Sequence, residues 1–165
     1  MLRLLLIMPL LSLSALAADP PMPSVAYPSG PVQSGMSAGM GGGRQAAAVR
    51  SRNGHFYFNA NANDSTIPMM VDTGATSIVL RYEDAERAGL NPSTLSYNVP
   101  SNTANGMSYS AKAQLRVLTV GSISKPDLPV LVAKQGALFA SLLGQSFLSK
   151  VRTVRISGDA LTLMD

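Results

Sequence analysis

A stretch rich in proline and glycine limits where this chain can fold. Between Asp19 and Gly43 lie 25 residues, of which five are proline and six are glycine, and the apolar residues among them follow no period. Such a segment buries too little apolar surface to offset the entropy lost on ordering it. We therefore predict a flexible tether over residues 18–53 and a folded domain over residues 54–165, which is long enough for one compact core.

The residues before the tether have the layout of a secretory signal peptide. Arg3 is followed by an apolar run that ends at Leu11, and Ala15-Leu16-Ala17 fits a signal cleavage site. The apolar run is shorter than the roughly 20 residues needed to cross a bilayer, and Pro9 interrupts it. We predict that residues 1–17 are removed, which gives an exported, periplasmic or secreted protein with no stable membrane span. The alternative is an uncleaved segment that anchors the chain in the inner membrane.

Composition excludes several kinds of site. The 165 residues include no cysteine and one histidine, His55, so disulfides, thiolate metal sites and multi-histidine metal sites are excluded. From residue 54 onward nine basic residues stand against eight acidic ones, so most of the net charge of +4 lies before the predicted domain. No basic face argues for a nucleic-acid partner. We expect no metal and no cofactor.

Short apolar runs separated by turn residues predict an all-β domain. Phe56 to Ala62 alternates apolar and polar side chains, which is the period of a half-buried strand. A polar turn is predicted over Asn63–Thr66, and Asn105-Gly106 predicts a tight hairpin because both residues accept positive φ. Further strands are predicted at 67–71, 77–80, 107–120 and 129–132 and as a pair within 151–163, with short helices at 82–88 and 145–150.

One carboxylate lacks an ordinary explanation. Asp72 follows the apolar run Met69-Met70-Val71 and precedes Thr73-Gly74-Ala75, and a second apolar strand comes directly after. A carboxylate at the end of a buried strand needs donors to offset its lost hydration, and Gly74 lets backbone N–H groups approach because it has no Cβ. An Asx turn between two strands would use the same residues, and Asp-Thr-Gly taken alone favours that structural interpretation.

The surrounding sequence favours a functional role for Asp72 over a purely structural turn. Val71-Asp72-Thr73-Gly74-Ala75 resembles the catalytic loop of retropepsin-like aspartic proteases, and four further segments are similar, in order, to the single-lobed bacterial members of that clan. Those segments begin at His55, Glu83, Thr103 and Ser141. The resemblance covers about residues 54–165. It implies an all-β, retropepsin-like acid protease half-barrel with one or two short helices, forming a C2 dimer.

The resemblance also implies site residues. Asp72 would be the catalytic carboxylate, supported by Thr73, Gly74 and Ala75. Leu142-Leu143-Gly144 would pack beside this loop, and a hairpin tip would form a flap over a peptide or protein substrate; the tip consists of Thr103, Ala104, Asn105 and Gly106. The polar turn Asn63–Thr66 departs from the pattern, since relatives tend to have a tighter Asn-Gly turn.

Peptide hydrolysis by this route needs two facing carboxyls that share one proton. The ionised carboxyl takes a proton from water, and the neutral one donates to the scissile carbonyl oxygen. No other Asp in the sequence is followed by Thr-Gly or Ser-Gly. The second carboxyl is therefore expected from Asp72 of another copy, in a homodimer with one site on its axis. The predicted function is that of an aspartic endopeptidase.

Two other functions are compatible with parts of the sequence. A non-catalytic exported peptide-binding module with the same fold would keep the cleft and the flap without turnover. Ser122-Ile123-Ser124-Lys125 matches the Ser-x-x-Lys spacing of some acyl-transfer nucleophiles, but that spacing works on a helix. Lys125 precedes Pro126 and is therefore biased toward extended backbone, so a turn is predicted there instead.

Overall fold

The computed structural model describes residues 43–103 and 106–165. The predicted signal peptide and most of the predicted tether lie outside these residues, so export stays a prediction. The elements follow in the order β1 Gln45–Val49, β2 Tyr57–Ala62, β3 Ser65–Val71, β4 Ile78–Leu80, α1 Tyr82–Arg87, a 3-10 turn Pro92–Thr94, β5 Val99–Thr103, β6 Gly106–Val120, β7 Ile123–Ala133, β8 Ser141–Leu143, α2 Gln145–Leu148, β9 Thr153–Ser157 and β10 Ala160–Met164. The all-β class with short helices is confirmed. None of the helices in the described ranges has the length and apolar character needed to cross a membrane.

Two sheets make up the domain. Seven strands are ordered β2-β3-β8-β4-β7-β6-β5, and an additional pairing of β2 with β6 closes this sheet into a barrel. A smaller antiparallel sheet has the order β1-β10-β9. Most neighbours in the larger sheet are antiparallel, but β3 and β8 are parallel, as are β4 and β7. Because parallel strands end at the same edge of a sheet, the residues after β3 and after β8 leave the barrel side by side.

The apolar period predicted from the sequence describes the core well. In β2, Phe58, Ala60 and Ala62 are buried while the asparagines between them are exposed. The largest fully buried side chains come from both sheets and from α2: Ile67, Met69, Ile78, Leu80, Leu115, Leu118, Ile123, Leu128, Leu143, Phe147, Leu161 and Leu163. The strands that lead to and from Asp72 are thus fixed by side chains in one continuous core.

The turn between β2 and β3 is tighter than predicted. Ala62 pairs with Ser65, so Asn63 and Asp64 alone make the connection, and their φ angles are 46° and 74°. Asn and Asp tolerate positive φ better than other non-glycine residues, and a two-residue hairpin of the primed type needs it at both positions. The longer turn predicted over Asn63–Thr66 is wrong, because Ser65 and Thr66 already belong to β3.

The folded domain begins before Gly54. Within the predicted tether, Gln45–Val49 forms β1 and pairs antiparallel with β10, and Ala46 and Ala48 are buried. Ser122 fixes the start of the strand, since its N–H donates to the Gln45 carbonyl at 3.0 Å and its hydroxyl accepts from the Gln45 N–H at 2.7 Å. The boundary predicted at residue 54 lies too late, because backbone pairing with β10 and the hydrogen bonds of Ser122 order Gln45–Val49.

Candidate active site

Asp72 leaves the barrel at the end of β3, beside the end of β8. Met69, Met70 and Val71 pair in parallel with the three residues of β8, so Val71 lies next to Leu143. The N–H of Asp72 continues this ladder by donating to the Leu143 carbonyl at 3.2 Å. The position of the Asp72 backbone is thus set by β8.

The carboxyl of Asp72 is held by the loop that follows it. Gly74 N–H donates to Oδ1 of Asp72 at 2.9 Å, and Ala75 N–H donates to the Asp72 carbonyl at 3.3 Å. A Cβ on Gly74 would lie 3.3 Å from Oδ1, closer than most real Cβ contacts. Asp72 is half-buried, whereas Thr73 and Gly74 are exposed. An Asx turn is therefore present, and it restrains a carboxyl that solvent still reaches.

The segment after β8 clamps the loop from the other side. Gln145 N–H donates to the Ala75 carbonyl at 2.8 Å, and Ser146 N–H donates to the Thr76 carbonyl at 3.0 Å. The side chains of the same two residues add two bonds: Gln145 Nε2 donates to the Thr73 carbonyl at 3.0 Å, and the Ser146 hydroxyl accepts from Ile78 N–H at 2.8 Å. The structure thus brings Asp72–Ala75 and Leu142–Gly144 together. Gln145 and Ser146 belong to the segment that resembles the family, but nothing in their residue types predicted these contacts.

The predicted flap is a hairpin whose tip lies outside the described residues. On either side of the tip Thr103 pairs with Gly106, whose φ is 103°. Met107 is 70% exposed and Tyr109 44% exposed just beyond the tip. Whether this hairpin covers a substrate stays a prediction.

Most other candidate groups are engaged elsewhere. Asp64 pairs with Arg116, and Asp159 pairs with Arg50. In the Ser-x-x-Lys segment the Ser122 hydroxyl donates to the Gln45 carbonyl while Lys125 Nζ donates to Asp165, so the two side chains are not arranged as nucleophile and base. Among residues 43–103 and 106–165, no three His, Cys, Asp or Glu side chains are grouped so that they could hold a metal ion.

One buried carboxylate was missed. Asp84 lies in a helix rich in acidic residues, which ordinarily face solvent, but its side chain has no exposed surface. Arg81 Nε donates to Oδ2 of Asp84 at 2.9 Å, and the Ser141 hydroxyl donates to the same oxygen at 2.7 Å. The spacing of Arg81, Asp84 and Arg87 was the available signal, because residues three apart share a helix face.

Comparison with known proteins agrees with this geometry. The aspartyl protease family profile matches residues 58–147, more than half of the chain, and the matched range includes Asp72 and Gly144. The crystal structure of a retropepsin-like aspartic protease from Rickettsia conorii superposes with a TM-score of 0.66 and 38% sequence identity, covering 73% of this chain and 89% of that one. This chain belongs to the retropepsin-like aspartyl protease family. The resemblance seen in the sequence and the half-barrel fold that it implies are confirmed.

Two curated relatives extend beyond this retropepsin-like chain. The uncharacterized protein in the cobV 5′ region of Sinorhizobium sp. is 40% identical over 75% of this chain and 53% of its own length. Uncharacterized protein RP867 of Rickettsia prowazekii (strain Madrid E) is 40% identical over 70% of this chain and 49% of its own length. The chain thus spans about half the length of the curated relatives that it matches.

Proposed function

We propose that this retropepsin-like protein is an aspartic endopeptidase that works as a homodimer, with one Asp72 carboxyl from each subunit. The clamped loop of residues 72–76 carries the proposal. Two strands and the segment after β8 hold its backbone, and the Gly74 N–H holds one oxygen of a carboxyl that solvent reaches. A restrained carboxyl at a solvent-accessible barrel edge suits proton transfer better than it suits structural support, for which burial would be enough.

The chemistry needs two such carboxyls around one water molecule. The ionised carboxyl takes a proton from the water, whose oxygen attacks the carbonyl carbon of the scissile peptide bond, and the neutral carboxyl donates its proton to the carbonyl oxygen. Collapse of the tetrahedral intermediate breaks the C–N bond. The leaving nitrogen takes the proton that the first carboxyl had removed from the water, and a hydroxyl proton of the intermediate returns to the second carboxyl. Two like charges this close do not both ionise readily, so the pair retains the one proton that the reaction uses.

The free edge of the smaller sheet supports the assignment of a second copy. β9 is the outer strand of that sheet, and Val154 and Ile156 are 38% and 53% exposed. Their register partners Leu163 and Leu161 are fully buried, so the aliphatic face continues past the core onto this edge. An open strand edge with aliphatic side chains is a template for pairing with another strand.

The change Asp72→Asn tests both parts of the proposal. The variant is expected to fold and to lose all cleavage of a denatured protein at acidic pH, while Asp64→Asn, at an exposed carboxyl in the β2–β3 turn, leaves cleavage unchanged. When equal amounts of wild type and Asp72→Asn are mixed and allowed to exchange subunits, about one quarter of the dimers carry two Asp72 carboxyls. The mixture should therefore show about one quarter of the activity of the same total amount of wild type. Retention of one half would contradict a shared site.

The peptide-binding alternative gives a different result in the same preparation. A dimer of wild-type chains that binds denatured protein or a pepstatin-type inhibitor, yet cleaves no substrate between pH 3 and 7, would favour the binding module. Persistent cleavage by folded Asp72→Asn would show that another group carries the reaction.

A further inference from the structure

The buried carboxylate of Asp84 ties together elements that meet at the catalytic loop. Arg81 donates two hydrogen bonds to it, from Nε at 2.9 Å and from Nη2 at 3.2 Å, and Arg87 Nη1 donates a third at 3.3 Å. The Ser141 hydroxyl donates a fourth at 2.7 Å and accepts from the Arg81 backbone N–H at 3.0 Å. Arg87 also reaches the Thr66 carbonyl at 2.5 Å. A carboxylate with this many donors is well compensated for its burial.

These contacts converge on three strands. Ser141 is the first residue of β8, Arg81 directly follows β4, and Thr66 lies in β3. β3 leads into Asp72, β4 leads away from its loop, and the carbonyl of Leu143 in β8 accepts the Asp72 N–H. The Asp84 cluster, defined as Arg81, Asp84, Arg87 and Ser141, therefore joins the three strands that hold Asp72.

Backbone pairing holds β8 firmly to β3 but weakly to β4. All three residues of β8 pair with β3, whereas β8 meets β4 through the single match of Val79 with Leu142. On the β4 side the strand therefore has few ladder hydrogen bonds, so one side-chain tie at its start adds much to its restraint there. Ser141 is fully buried and supplies that tie from the end of β8 opposite to Leu143.

We propose that Asp84 and Ser141 are positioning residues for catalysis. They fix where β8 lies relative to β3 and β4, and through β8 they fix the position of the Asp72 carboxyl. This inference rests on the proposed function, since the geometry that it maintains is that of two Asp72 carboxyls facing each other. A displacement of about 1 Å at a reacting group lowers turnover by up to about 100-fold, whereas substrate contacts made elsewhere are preserved. Loss of the tie should therefore lower kcat and leave KM nearly unchanged.

The test is Ser141→Ala in the full-length protein. We expect kcat to fall about 10- to 100-fold per active dimer with KM within about twofold, well below the unfolding temperature. Ser110→Ala is the matched control, because Ser110 is the other buried serine of the described residues and its hydroxyl meets Ser101 instead of Asp84. Both variants lose one buried hydroxyl, so a loss of kcat confined to Ser141→Ala separates positioning from a general loss of stability.

Amide hydrogen exchange provides a readout that does not need activity. The Asp72 N–H is expected to exchange at least about tenfold faster in Ser141→Ala than in Ser110→Ala, because its acceptor on Leu143 moves with β8. Unchanged kcat together with unchanged exchange at Asp72 would overturn the inference. A wild type without activity, or an active Asp72→Asn, would instead overturn the proposed function, and the exchange rate alone would then decide whether Ser141 positions the loop.

Discussion

At Gly144 the absence of a side chain is a matter of space. Its φ of −91° suits any residue, so no special backbone conformation demands glycine. A Cβ there, however, would lie 2.2 Å from the Ser77 carbonyl oxygen and 2.7 Å from the Ala75 carbonyl oxygen. Ala75 belongs to the loop of residues 72–76 and Ser77 directly follows it, so neither carbonyl can shift without moving that loop. Close approach of the two chain segments is thus what the third residue of Leu142-Leu143-Gly144 provides.

Replacement of this glycine by alanine should damage the site directly. Gly144→Ala is expected to cost about 1–3 kcal/mol of unfolding free energy through overpacking, and to lower kcat/KM by at least about 100-fold as the loop shifts. Gly43→Ala is a suitable control, because a Cβ there would sit at an ordinary 3.4 Å from its nearest neighbour. Urea unfolding and peptide cleavage on both variants check the prediction, and a fully active Gly144→Ala would contradict it.

At the scale of elements, β1 depends on the turn that joins β6 to β7. Gly121 in that turn has φ of 59°, and a Cβ on it would lie 2.6 Å from the Ala46 Cβ and 2.7 Å from the Gln45 carbonyl oxygen. The turn therefore combines a conformational requirement for glycine with a steric one. The neighbouring Ser122 holds Gln45 of β1 by two hydrogen bonds that involve the Ser122 hydroxyl.

The two requirements can be separated by a second glycine of the same conformation. Gly158→Ala, in the β9–β10 turn with φ of 56° and open space around it, should cost only the roughly 1–2 kcal/mol of a left-handed alanine. Gly121→Ala should cost at least about 1 kcal/mol more, because it also displaces β1. Free energies of unfolding from urea titrations test this. Equal losses of unfolding free energy in the two variants would mean that β1 can shift away from residue 121 without destabilising the fold.

Turn chemistry and alternation predicted most elements, and their failures have physical reasons. The strand at 57–62, most of the strand at 65–71 and the helix that ends before Gly89 follow from local patterns. Gly89 has the positive φ of 74° that such a helix end uses. β1 falls within the predicted tether because Gln45-Ala46-Ala47-Ala48-Val49 places alanine on both faces, which hides the period of two. Only its pairing with β10, more than 100 residues later, makes it a strand.

Some residues of the candidate site could be predicted from the sequence, and others could not. Asp72 could be found from its own surroundings, because a carboxylate between two apolar strands needs a chemical reason. Gly144 could be found only through the resemblance to the family. The Asp84 cluster could not be found by composition, because an acidic helix residue between arginines usually lies in solvent. One of the donors that compensate its burial, the Ser141 hydroxyl, lies 57 positions away.

For the molecule as a whole, the last residue ties the smaller sheet to the barrel. Asp165 accepts from Lys125 Nζ at 2.8 Å and from Arg44 Nη2 at 2.9 Å. The hydrogen bond from Lys125, assisted by the positive charges of both partners, holds the pKa of the Asp165 carboxyl below its ordinary 3.8. A group whose pKa is lowered by folding stabilises the folded state above its unfolded pKa, and this contribution is lost as the pH falls through the folded value.

The pH dependence of unfolding should reveal this tie. Asp165→Asn is expected to be less stable than wild type at neutral pH, and the difference should vanish when the pH is lowered well below 3.8, where the wild-type carboxyl is protonated as well. Asp159→Asn, at an exposed carboxyl paired with Arg50, should show little difference at any pH. Urea titrations at several pH values measure both. A deficit for Asp165→Asn that persists unchanged in strong acid would show that shape, not charge, matters at this position.

The groups that hold the loop after Asp72 are synthesised late. Gln145 reaches the Thr73 carbonyl across 72 positions, and Ser146 reaches Ile78 across 68. A growing chain therefore carries Asp72 for much of its synthesis before the groups that hold it exist. Under the proposed function, a nascent or truncated chain that lacks these groups is inactive. The ability to cleave other proteins arises only once the whole domain has folded.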